Sequence, residues 1–558
     1  MDKEYKNLVL GCQNCKTDFV IEPDDFSFYE KMKVPVPKVC PDCRFKMRAL
    51  FRNETTLYSG RKCNLCGKSV VSMYNPKSPY TIYCKECYLS DKWDSYDYGI
   101  EYDFSKPFFE QFKLLLERTP KSMVFIGEPS VNSEYTNVAG DNKDCYLLFN
   151  ASHNENVMYS RGLNNSRDTL DGYFGNQIEN CYEVINAHSS SGIIHGQNNS
   201  GDLDSYFLLN TSGCQNCFGC VNLRHGSYEY FNEKLSIDEY KKKIDTFKGS
   251  YKQMEGAKEE FKKHALKFPQ CENLNIKTVD SNGNYLFECK NVQLSFECQK
   301  CEDCKYCFSF FNSKDCYDQI GRGLDAEMML EGVASGAGSK YIIAGYGIAH
   351  SMDIEYSFDL RSCANCLGCD SLRNAEYCIL NKKYSKEEYE KLKEHIVKEL
   401  KEQDLYGLMI PPELAPFAYN ESIAHENMPM TKEEVLKAGF RWEDDIQKTE
   451  GRETIQPKNI PDNIKDVQDS ITNEILRCID CNRNYKITEQ ELFLHKKITL
   501  PIPRKCFYCR HKDRVSSRGP YKFWERNCSK CGNNIKTNYA PERPEIVYCK
   551  ECYQQEVY

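Results

Sequence analysis

The sequence predicts a mainly β chain, in which duplicated double zinc-ribbon modules at both termini flank a cysteine- and asparagine-rich β-solenoid in two copies, with capping helices. Three observations lead to this prediction. The same spacing of eight cysteines occurs near both ends of the 558-residue chain. A twelve-residue period runs through the middle of the chain, and a Ser-x-x-Glu sequence opens a charged amphipathic stretch after each copy of that period.

Sixteen cysteines form the two terminal arrays, and every pair within them has the spacing Cys-x2-Cys. Two thiolates at this spacing hold one tetrahedral ion from a tight turn, which is typical of zinc sites. The arrays therefore predict four structural Zn2+ sites, with the pairs joined either sequentially or in a cross-braced order. The predicted ligands are Cys12, Cys15, Cys40, Cys43, Cys63, Cys66, Cys84, Cys87, Cys478, Cys481, Cys506, Cys509, Cys528, Cys531, Cys549 and Cys552.

The two arrays match beyond their cysteines, which indicates an internal duplication. Residues 34–44, VPVPKVCPDCR, parallel residues 500–510, LPIPRKCFYCR. A glycine follows Cys66 and Cys531, where a left-handed backbone would let N–H groups point at sulfur. Ribbons of this size have no core of their own, so zinc would supply about 10–16 kcal/mol of folding free energy per site.

Cations alternate with aromatic residues around the second cysteine pair of each array. Such a run could follow phosphates and stack bases, and it predicts binding to RNA, DNA or a ribonucleoprotein. The alternative is that the rings fill the small ribbon core while the cations form a solvated face. The candidate nucleic-acid-binding residues are Arg44, Lys46, Arg48, Arg52, Arg504, Lys505, Arg510, Lys512, Arg514, Arg518 and Trp524.

The segment after Asn132 repeats every twelve residues. Most units begin with Asn or Asp, then a small or β-branched residue, then a large apolar one, at positions 144, 156, 168, 180, 192, 204 and 216. A fixed period with a short strand and a polar turn is typical of a β-solenoid, in which each coil covers the apolar side of the next. Asn side chains would form ladders, and Cys145, Cys181 and Cys217 would fill the interior. The sequence leaves open whether one coil takes one unit or two.

A second copy of the repeat follows, and both copies close on nearly the same motif. Residues 214–224, CQNCFGCVNLR, match residues 363–373, CANCLGCDSLR. Each copy then runs into a capping box, Ser236-x-x-Glu239 or Ser385-x-x-Glu388, that predicts a helix to about residue 268 or 403. Such helices would cover the open strand edge at the end of a solenoid.

These features divide the chain into six predicted segments. They are an N-terminal double zinc-ribbon (1–98), solenoid copy 1 (99–235), a helical cap (236–270), solenoid copy 2 (271–384), a helix with a linker or strap (385–476) and a C-terminal double zinc-ribbon (477–558).

The run Cys298-x2-Cys301-x2-Cys304-x2-Cys307 needs separate interpretation. It is similar to the runs that ligate iron–sulfur clusters, but its last spacing is x2 rather than x3 and no proline follows. Two of its members fall on the repeat grid or beside it. This position favours buried free thiols over an iron–sulfur cluster or further zinc at these four residues.

Charge is divided unevenly along the chain, whose net charge is −8. Residues 1–90 hold 15 basic and 10 acidic residues, residues 477–558 hold 17 and 9, and the middle therefore carries −21. Basic ends predict an anionic partner, although thiolate zinc sites offset part of their charge. The chain begins without an apolar signal segment and has no run long enough to span a membrane, which predicts a cytoplasmic protein with no membrane association.

Three motifs carry a family resemblance: residues 36–44 (VPKVCPDCR), 139–146 (AGDNKDCY) and 539–549 (YAPERPEIVYC). With these motifs the whole chain resembles large uncharacterised zinc-ribbon proteins of candidate-phyla bacteria. The resemblance implies the ribbon architecture and no established activity. Members are sometimes labelled CoA transferases, a label that nothing in this sequence supports.

The sequence offers no catalytic constellation. Asp168, Asp171, Asp202 and Asp204 could meet on one face of the solenoid, but Asn and Asp favour such turns for local reasons. The leading hypothesis is a non-enzymatic zinc-binding protein that binds nucleic acid or a ribonucleoprotein through ribbons held on a solenoid body. The alternatives are a protein–protein interaction scaffold with structural zinc and, third, an enzyme acting from the solenoid face.

Overall fold

The chain forms two compact units, and each unit is built from two separate stretches of sequence. The computed structural model describes residues 5–125, 127 and 130–557. Unit 1 comprises Met1–Met123 and Asn273–Asp444, and unit 2 comprises Val124–Glu272 and Asp445–Tyr558. Each unit therefore combines one terminal cysteine array with the copy of the repeat that is more distant from it in sequence.

The first stretch of unit 1 carries the N-terminal array on short hairpins and helices. Its elements are β1 (Leu8–Gly11), β2 (Asp18–Ile21), α1 (Pro23–Lys31), α2 (Pro41–Ala49), β3 (Tyr58–Lys62), β4 (Ser69–Ser72), β5 (Ile82–Tyr83), α3 (Lys85–Tyr88), a 3-10 turn (Ser95–Tyr98), α4 (Phe108–Arg118) and β6 (Lys121–Ser122).

The first stretch of unit 2 holds the first large sheet and two helices. Its elements are β7 (Thr136–Gly140), β8 (Tyr146–Ser152), β9 (Glu155–Asn164), β10 (Arg167–Asn176), β11 (Tyr182–His188), β12 (Ser191–Ser200), β13 (Leu203–Ser212), β14 (Gln215–Phe218), β15 (Ser227–Tyr230), β16 (Glu233–Lys234), α5 (Ile237–Phe247), α6 (Tyr251–Ala265) and β17 (Gln270–Cys271).

The second stretch of unit 1 holds the second large sheet, one long helix and a region of short helices. Its elements are β18 (Asn282–Asn284), β19 (Lys290–Phe296), β20 (Glu302–Phe311), β21 (Lys314–Leu324), β22 (Glu327–Val333), β23 (Lys340–Ile343), β24 (Met352–Glu355), β25 (Ala364–Leu367), β26 (Glu376–Ile379), β27 (Lys382–Lys383), α7 (Lys386–Glu402), 3-10 turns at Pro412–Leu414 and Tyr419–Glu421, α8 (Ile423–Asn427) and α9 (Lys432–Lys437).

The second stretch of unit 2 carries the C-terminal array. Its elements are 3-10 turns at Pro457–Asn459, Ile464–Asp466 and Asp469–Asn473, followed by β28 (Leu476–Arg477), β29 (Asn484–Tyr485), α10 (Glu489–Lys497), α11 (Phe507–Arg518), β30 (Trp524–Asn527), β31 (Asn534–Thr537), β32 (Val547–Tyr548) and α12 (Lys550–Val557).

Both large sheets are parallel, and each strand pairs with the strand one repeat further along the chain. In the first sheet, β7–β15 pair in chain order, and Met158 lies opposite Leu170, which lies opposite Tyr182. In the second sheet, β18–β26 pair in the same way, as at Cys304 opposite Cys316. One twelve-residue unit therefore stacks directly on the next. The antiparallel strands β16 and β27 end the two sheets.

A shorter period of three residues lies inside each unit. Along β9 and β10 the backbone has a positive φ at every third residue: Asn156 (55°), Tyr159 (56°), Gly162 (72°), Asn165 (49°) and Asp168 (49°). The residue that follows each of them is buried, namely Val157, Ser160, Leu163, Ser166 and Thr169. Asn, Asp and Gly tolerate this left-handed region better than other residues, which accounts for their frequency in the repeat. Each unit thus buries four side chains at steps of three.

Polar side chains stack between successive units. Asn186 donates to Asn198, Asn198 donates to Asn210, and Asn210 donates to Asn222 through their side-chain amides. The sequence predicts such a ladder, and the structure contains it. Each bond satisfies an amide that the neighbouring unit would otherwise leave without a partner.

The capping boxes begin helices where the sequence predicts them. Ser236 caps α5 and Ser385 caps α7, and each hydroxyl accepts a hydrogen bond from the backbone N–H three residues later. The predicted stretch to residue 268 is divided, because Gly249 (φ 80°) separates α5 from α6. Phe247 of α5 packs on Phe218 of the first sheet with ring centroids 5.2 Å apart.

By its elements the chain is mainly β, with two ten-stranded sheets that are parallel except at their last strands. Throughout the part of the chain that the structure describes, no helix has both the length and the apolar character needed to cross a membrane.

Candidate metal centres

Four groups of four cysteines lie at the two ends of the chain, and each could hold one metal ion. In every group the four sulfur atoms lie within 4.8 Å of one another. Each group joins two pairs that are adjacent in sequence, which is the sequential order rather than the cross-braced one. The groups are Cys12/Cys15/Cys40/Cys43, Cys63/Cys66/Cys84/Cys87, Cys478/Cys481/Cys506/Cys509 and Cys528/Cys531/Cys549/Cys552.

In each group the first cysteine pair lies on a hairpin turn. The turn after β1 is closed by the bond from the Lys16 N–H to the Cys12 carbonyl, and Lys16 takes a positive φ of 64°. The residue in this position is Gly67 (φ 76°), Asn482 (φ 60°) or Gly532 (φ 79°) in the other three groups. The left-handed glycines expected after Cys66 and Cys531 are therefore present, and Lys and Asn take their place in the other two turns.

The second cysteine pair of each group lies at the start of a helix. Cys40, Cys84 and Cys506 are the N-cap residues of α2, α3 and α11, and Cys549 immediately precedes α12. Helix N-termini stabilise negative charge, so they favour the thiolate form of these ligands. Backbone N–H groups also donate to sulfur, as from Cys40 to Cys12 Sγ at 3.3 Å.

The donor set of each group fits zinc. Four thiolates around Zn2+, with Zn–S distances of about 2.3 Å, place neighbouring sulfurs about 3.8 Å apart. One sulfur pair in each group lies 3.6 Å or 3.8 Å apart. The hydrogen bond with Cys43 lowers the pKa of Cys40 to about 5, and the hydrogen bond with Cys506 lowers the pKa of Cys478 to about 4. Four thiolates complete a tetrahedron and leave no position for a reactive water.

In unit 1, helix α2 is held on the second sheet by a buried cluster of charges. Arg44 lies 2.9 Å from Asp318, and Arg48 lies 2.9 Å from Asp318 and 2.7 Å from Glu331. All four side chains are at most 2% exposed. Burial raises the pKa of Glu331 to about 7 against the attraction of Arg48. We call this cluster the unit 1 clamp.

Unit 2 repeats the arrangement with helix α11 and the first sheet. Arg510 lies 2.9 Å from Asp171, and Arg514 lies 2.6 Å from the same carboxylate. The arginines are 4% exposed and the aspartate is 1% exposed. The two arginines follow Cys506 at the same spacing as Arg44 and Arg48 follow Cys40. We call this cluster the unit 2 clamp.

The clamps bury four of the cations that the sequence offers as candidate nucleic-acid-binding residues. Arg44, Arg48, Arg510 and Arg514 are buried against carboxylates, and a desolvated, paired guanidinium is not available to a phosphate. Three more predicted residues are buried: Arg52 lies 2.5 Å from Glu54, Arg504 donates to backbone carbonyls, and Arg518 donates to a tyrosine hydroxyl at 2.7 Å.

Four predicted residues keep some access to solvent. Lys512 is exposed, whereas Lys46, Lys505 and Trp524 are half-buried. Lys505 pairs with Asp480 and Asp513 at 2.8 Å and 2.9 Å. Of the eleven predicted residues, these four are accessible to solvent and the other seven are buried.

The candidate carboxylates of the first sheet are engaged separately. Asp168 pairs with Lys497 at 2.6 Å, Asp171 belongs to the unit 2 clamp, and Asp202 accepts from the Cys214 N–H at 2.8 Å. Asp204 is exposed. Their partners differ, so the four do not form one acid–base site.

The cysteine run in the second sheet occupies the four buried positions of a single twelve-residue unit. Cys298, Cys301, Cys304 and Cys307 are each at most 2% exposed. Each thiol donates to the carbonyl two residues earlier, as from Cys304 to Glu302 at 3.2 Å. Among the described residues, three or more ligand atoms come within 4.8 Å of one another only in the four terminal groups.

The acidic partners of the clamps were not predicted, although the sequence contains a signal for them. Tyr159, Asp171 and Glu183 occupy one position of three successive units in the first sheet. Tyr306, Asp318 and Glu331 occupy the corresponding position in the second. In both sheets an aspartate and a glutamate therefore lie one repeat apart at the same position. Two neighbouring carboxylates indicate that a cation packs opposite them. In unit 2 the glutamate of this series pairs instead with Lys258, at 2.9 Å.

No protein-family model matches the chain, and no curated protein matches it.

Proposed function

We propose that this chain is a non-enzymatic, zinc-stabilised scaffold for protein partners. The observation that carries the proposal is the pair of clamps. In each clamp, arginines of the basic helix of a terminal module form ion pairs with buried carboxylates. Cations fixed in this way hold the protein together. The metal groups and their basic helices then serve architecture, and partners are bound by the surface that remains.

In this proposal each large sheet is the wall of a β-solenoid. The direct stacking of twelve-residue units, the buried residue at every third position and the amide ladder all support it. A solenoid presents a long and regular surface, which is suited to an extended partner. The chain between the two terminal arrays is strongly acidic, and this charge disfavours nucleic acid as the partner.

Zinc in the first cysteine group of each module would couple metal binding to the packing of helices α2 and α11 on the large sheets. Helices α2 and α11 begin at ligand residues, so a bound ion would fix the helix that carries the clamp arginines. A zinc ion supplies folding free energy to a module too small to have its own core. The residues of this chain then orient the helix and bury its charges.

We also infer that the chain belongs with the large zinc-ribbon proteins that it resembles and that it acts in the cytoplasm. None of the 32 cysteines forms a disulfide bond, and the ones in the large sheets are buried. Unpaired thiols in this number are typical of a reducing compartment.

Capture experiments with the zinc-loaded chain test the proposal. We expect protein partners to remain bound after nuclease treatment and in high salt, because apolar and hydrogen-bonding contacts are screened little by ions. Partners that disappear after either treatment would contradict the scaffold function. The same preparation should contain four zinc ions per chain.

A second candidate is binding to RNA, DNA or a ribonucleoprotein through the outer side of the C-terminal array. It is favoured by exposed Lys512 and by the stacking of Lys522 over the ring of Trp524 at 5.5 Å. A filter-binding titration against salt distinguishes it, because phosphate contacts give an affinity that falls steeply as salt rises. Tight, salt-dependent binding that Lys512→Glu weakens would replace the scaffold proposal.

A further inference from the structure

The first metal groups of the two modules differ in what covers their hairpins. In unit 2, the segment Thr449–Gln456 crosses the hairpin β28–β29, because the Asn484 N–H of β29 donates to the Thr449 carbonyl at 2.7 Å and Ile455 forms a bridge to β28. Thr454 and Ile455 donate through their N–H groups to the Ile475 carbonyl at 2.9 Å and 3.3 Å. The Thr454 hydroxyl accepts from the Ile475 N–H at 2.8 Å, and Ile455 bridges in parallel to Leu476.

In unit 1 the corresponding hairpin has no such crossing segment among the described residues. No described residue outside the hairpin forms a backbone hydrogen bond or bridge with the outer edge of β1. The Cys12 N–H donates to Thr17 across the hairpin, so by alternation the N–H and carbonyl of Val9 point away from β2. Val9 corresponds to Ile475, which uses both groups to bind Thr454 and Ile455 of the crossing segment.

The uncovered edge is also apolar. Val9 is 60% exposed, Val20, which lies opposite it on β2, is 44% exposed, and Leu8 is 40% exposed. On the covered hairpin Ile475, which corresponds to Val9, is half-buried, and Leu476, which corresponds to half-buried Leu10, is fully buried. A free edge with exposed aliphatic side chains is the usual acceptor for an extended peptide.

We propose that the free edge of β1 binds an extended segment of a partner protein, in the place that Thr449–Gln456 occupies in unit 2. The occupant presents a threonine and an isoleucine to Val9 and Leu10. Its backbone N–H groups donate to the Val9 carbonyl, its threonine hydroxyl accepts from the Val9 N–H, and its isoleucine covers Leu10. This site deepens the proposed scaffold function and rests on it.

Charge at the end of the hairpin selects which segment binds. In unit 2 the side chain of Asn484 donates to Glu453 at 3.1 Å. In unit 1 the corresponding residue is Asp18, which is exposed. Two carboxylates at this position repel each other, so the segment of this chain itself is disfavoured. The partner therefore carries lysine or arginine where unit 2 has Glu453.

Two peptides titrated into the full-length, zinc-loaded chain test the site by fluorescence anisotropy. The first has the sequence of residues 451–457, GRETIQP, and the second is GRKTIQP. We expect GRKTIQP to bind about fivefold more tightly, the size of a favourable ion pair replaced by a repulsive one at an exposed position. Asp18→Asn should remove that preference, because its amide can donate to glutamate as Asn484 does.

Variants of Val9 locate the binding. Val9→Lys places a cation on the apolar edge, where it repels the arginine and lysine of the peptide, and we expect about tenfold weaker binding of GRKTIQP. Ile276→Lys is the matched control, since Ile276 is 59% exposed in the same unit, and it should leave the affinity unchanged. Zinc content measured on each variant shows that the module is folded.

The proposal is overturned if GRKTIQP does not bind at millimolar concentration, or if Val9→Lys and Ile276→Lys bind it equally. Stronger binding of GRETIQP, together with self-association of the chain, would identify a second copy as the occupant and also overturn it. Protein capture that persists in the Val9→Lys variant while the peptide fails to bind the natural chain would leave the scaffold function in place without this site.

Discussion

Asp318 is the residue on which the unit 1 clamp depends most. Its carboxylate lies 2.9 Å from both Arg44 and Arg48, and all three side chains are at most 2% exposed. Asp318→Asn keeps the shape of the side chain and removes its charge. The two guanidiniums then share Glu331 alone, in a place that water does not reach. Removing one partner of a buried ion pair costs about 3–5 kcal/mol of folding free energy, because the remaining charge is left uncompensated.

Thermal unfolding of the zinc-loaded chain measures this cost. A domain of 150–250 residues loses about 2–4 °C in Tm per kcal/mol, and the value falls with size. For unit 1 we use about 2 °C per kcal/mol, so Asp318→Asn should lower its transition by about 6–10 °C. Hydrogen exchange should increase in α2, since this helix is held by the clamp. The transition of unit 2 should not move.

Asp315→Asn is the control for this experiment, because Asp315 lies on the same strand, β21. It pairs with Lys31 at 3.0 Å, but that lysine is 56% exposed, and such a pair contributes about 0–1 kcal/mol. The reasoning is refuted if both variants lower the Tm equally, or if Asp318→Asn leaves exchange in α2 unchanged. Combined with Asp318→Asn, Arg48→Met should cost less than the sum of the two single changes.

Three further predictions concern metal, thiols and pH. Metal analysis should find four zinc ions per chain and no iron, and Cys12→Ser should remove one zinc, because each cysteine group holds one ion. Cys304→Ser should leave the zinc content unchanged and cost less than about 1.5 kcal/mol by urea unfolding, because Ser160 already donates to a carbonyl from the same kind of position. Burial raises the pKa of Glu331 from 4.5 to about 7, so the folded protein keeps a proton that the unfolded chain releases. Unit 1 should therefore lose stability as pH rises from about 4.5 to 7, and Glu331→Gln should flatten that part of the profile; an unchanged slope would contradict the assignment.

The local features of this protein could be read from its sequence. Cys-x2-Cys spacing identifies the thiols that meet, because three-residue turns bring both sulfurs to one side of the backbone. The twelve-residue period predicts which residues lie opposite each other, as Met158 and Leu170 do. The capping boxes at Ser236 and Ser385 locate helix starts, because the N-cap bond involves residues three apart.

Other features depend on contacts between distant parts of the chain. The basic residues after Cys43 and Cys509 have the composition of a nucleic-acid track, and the sequence alone predicts that they face solvent. Their burial follows from carboxylates about 270 to 340 residues away, as for Arg44 with Asp318 and Arg514 with Asp171. A local sequence pattern shows the charge of a side chain, but it does not show which charged group that side chain contacts in the fold.

The sequence by itself determined the four cysteine groups, the repeat and the helix starts, because each arises from residues at fixed, short spacing. Only the tertiary structure decided that the N-terminal array joins the second sheet and the C-terminal array joins the first. It also decided that Val9 keeps a free edge where Ile475 is covered. The two arrays are nearly equal as sequences, so their different surroundings come from the long-range packing of each unit.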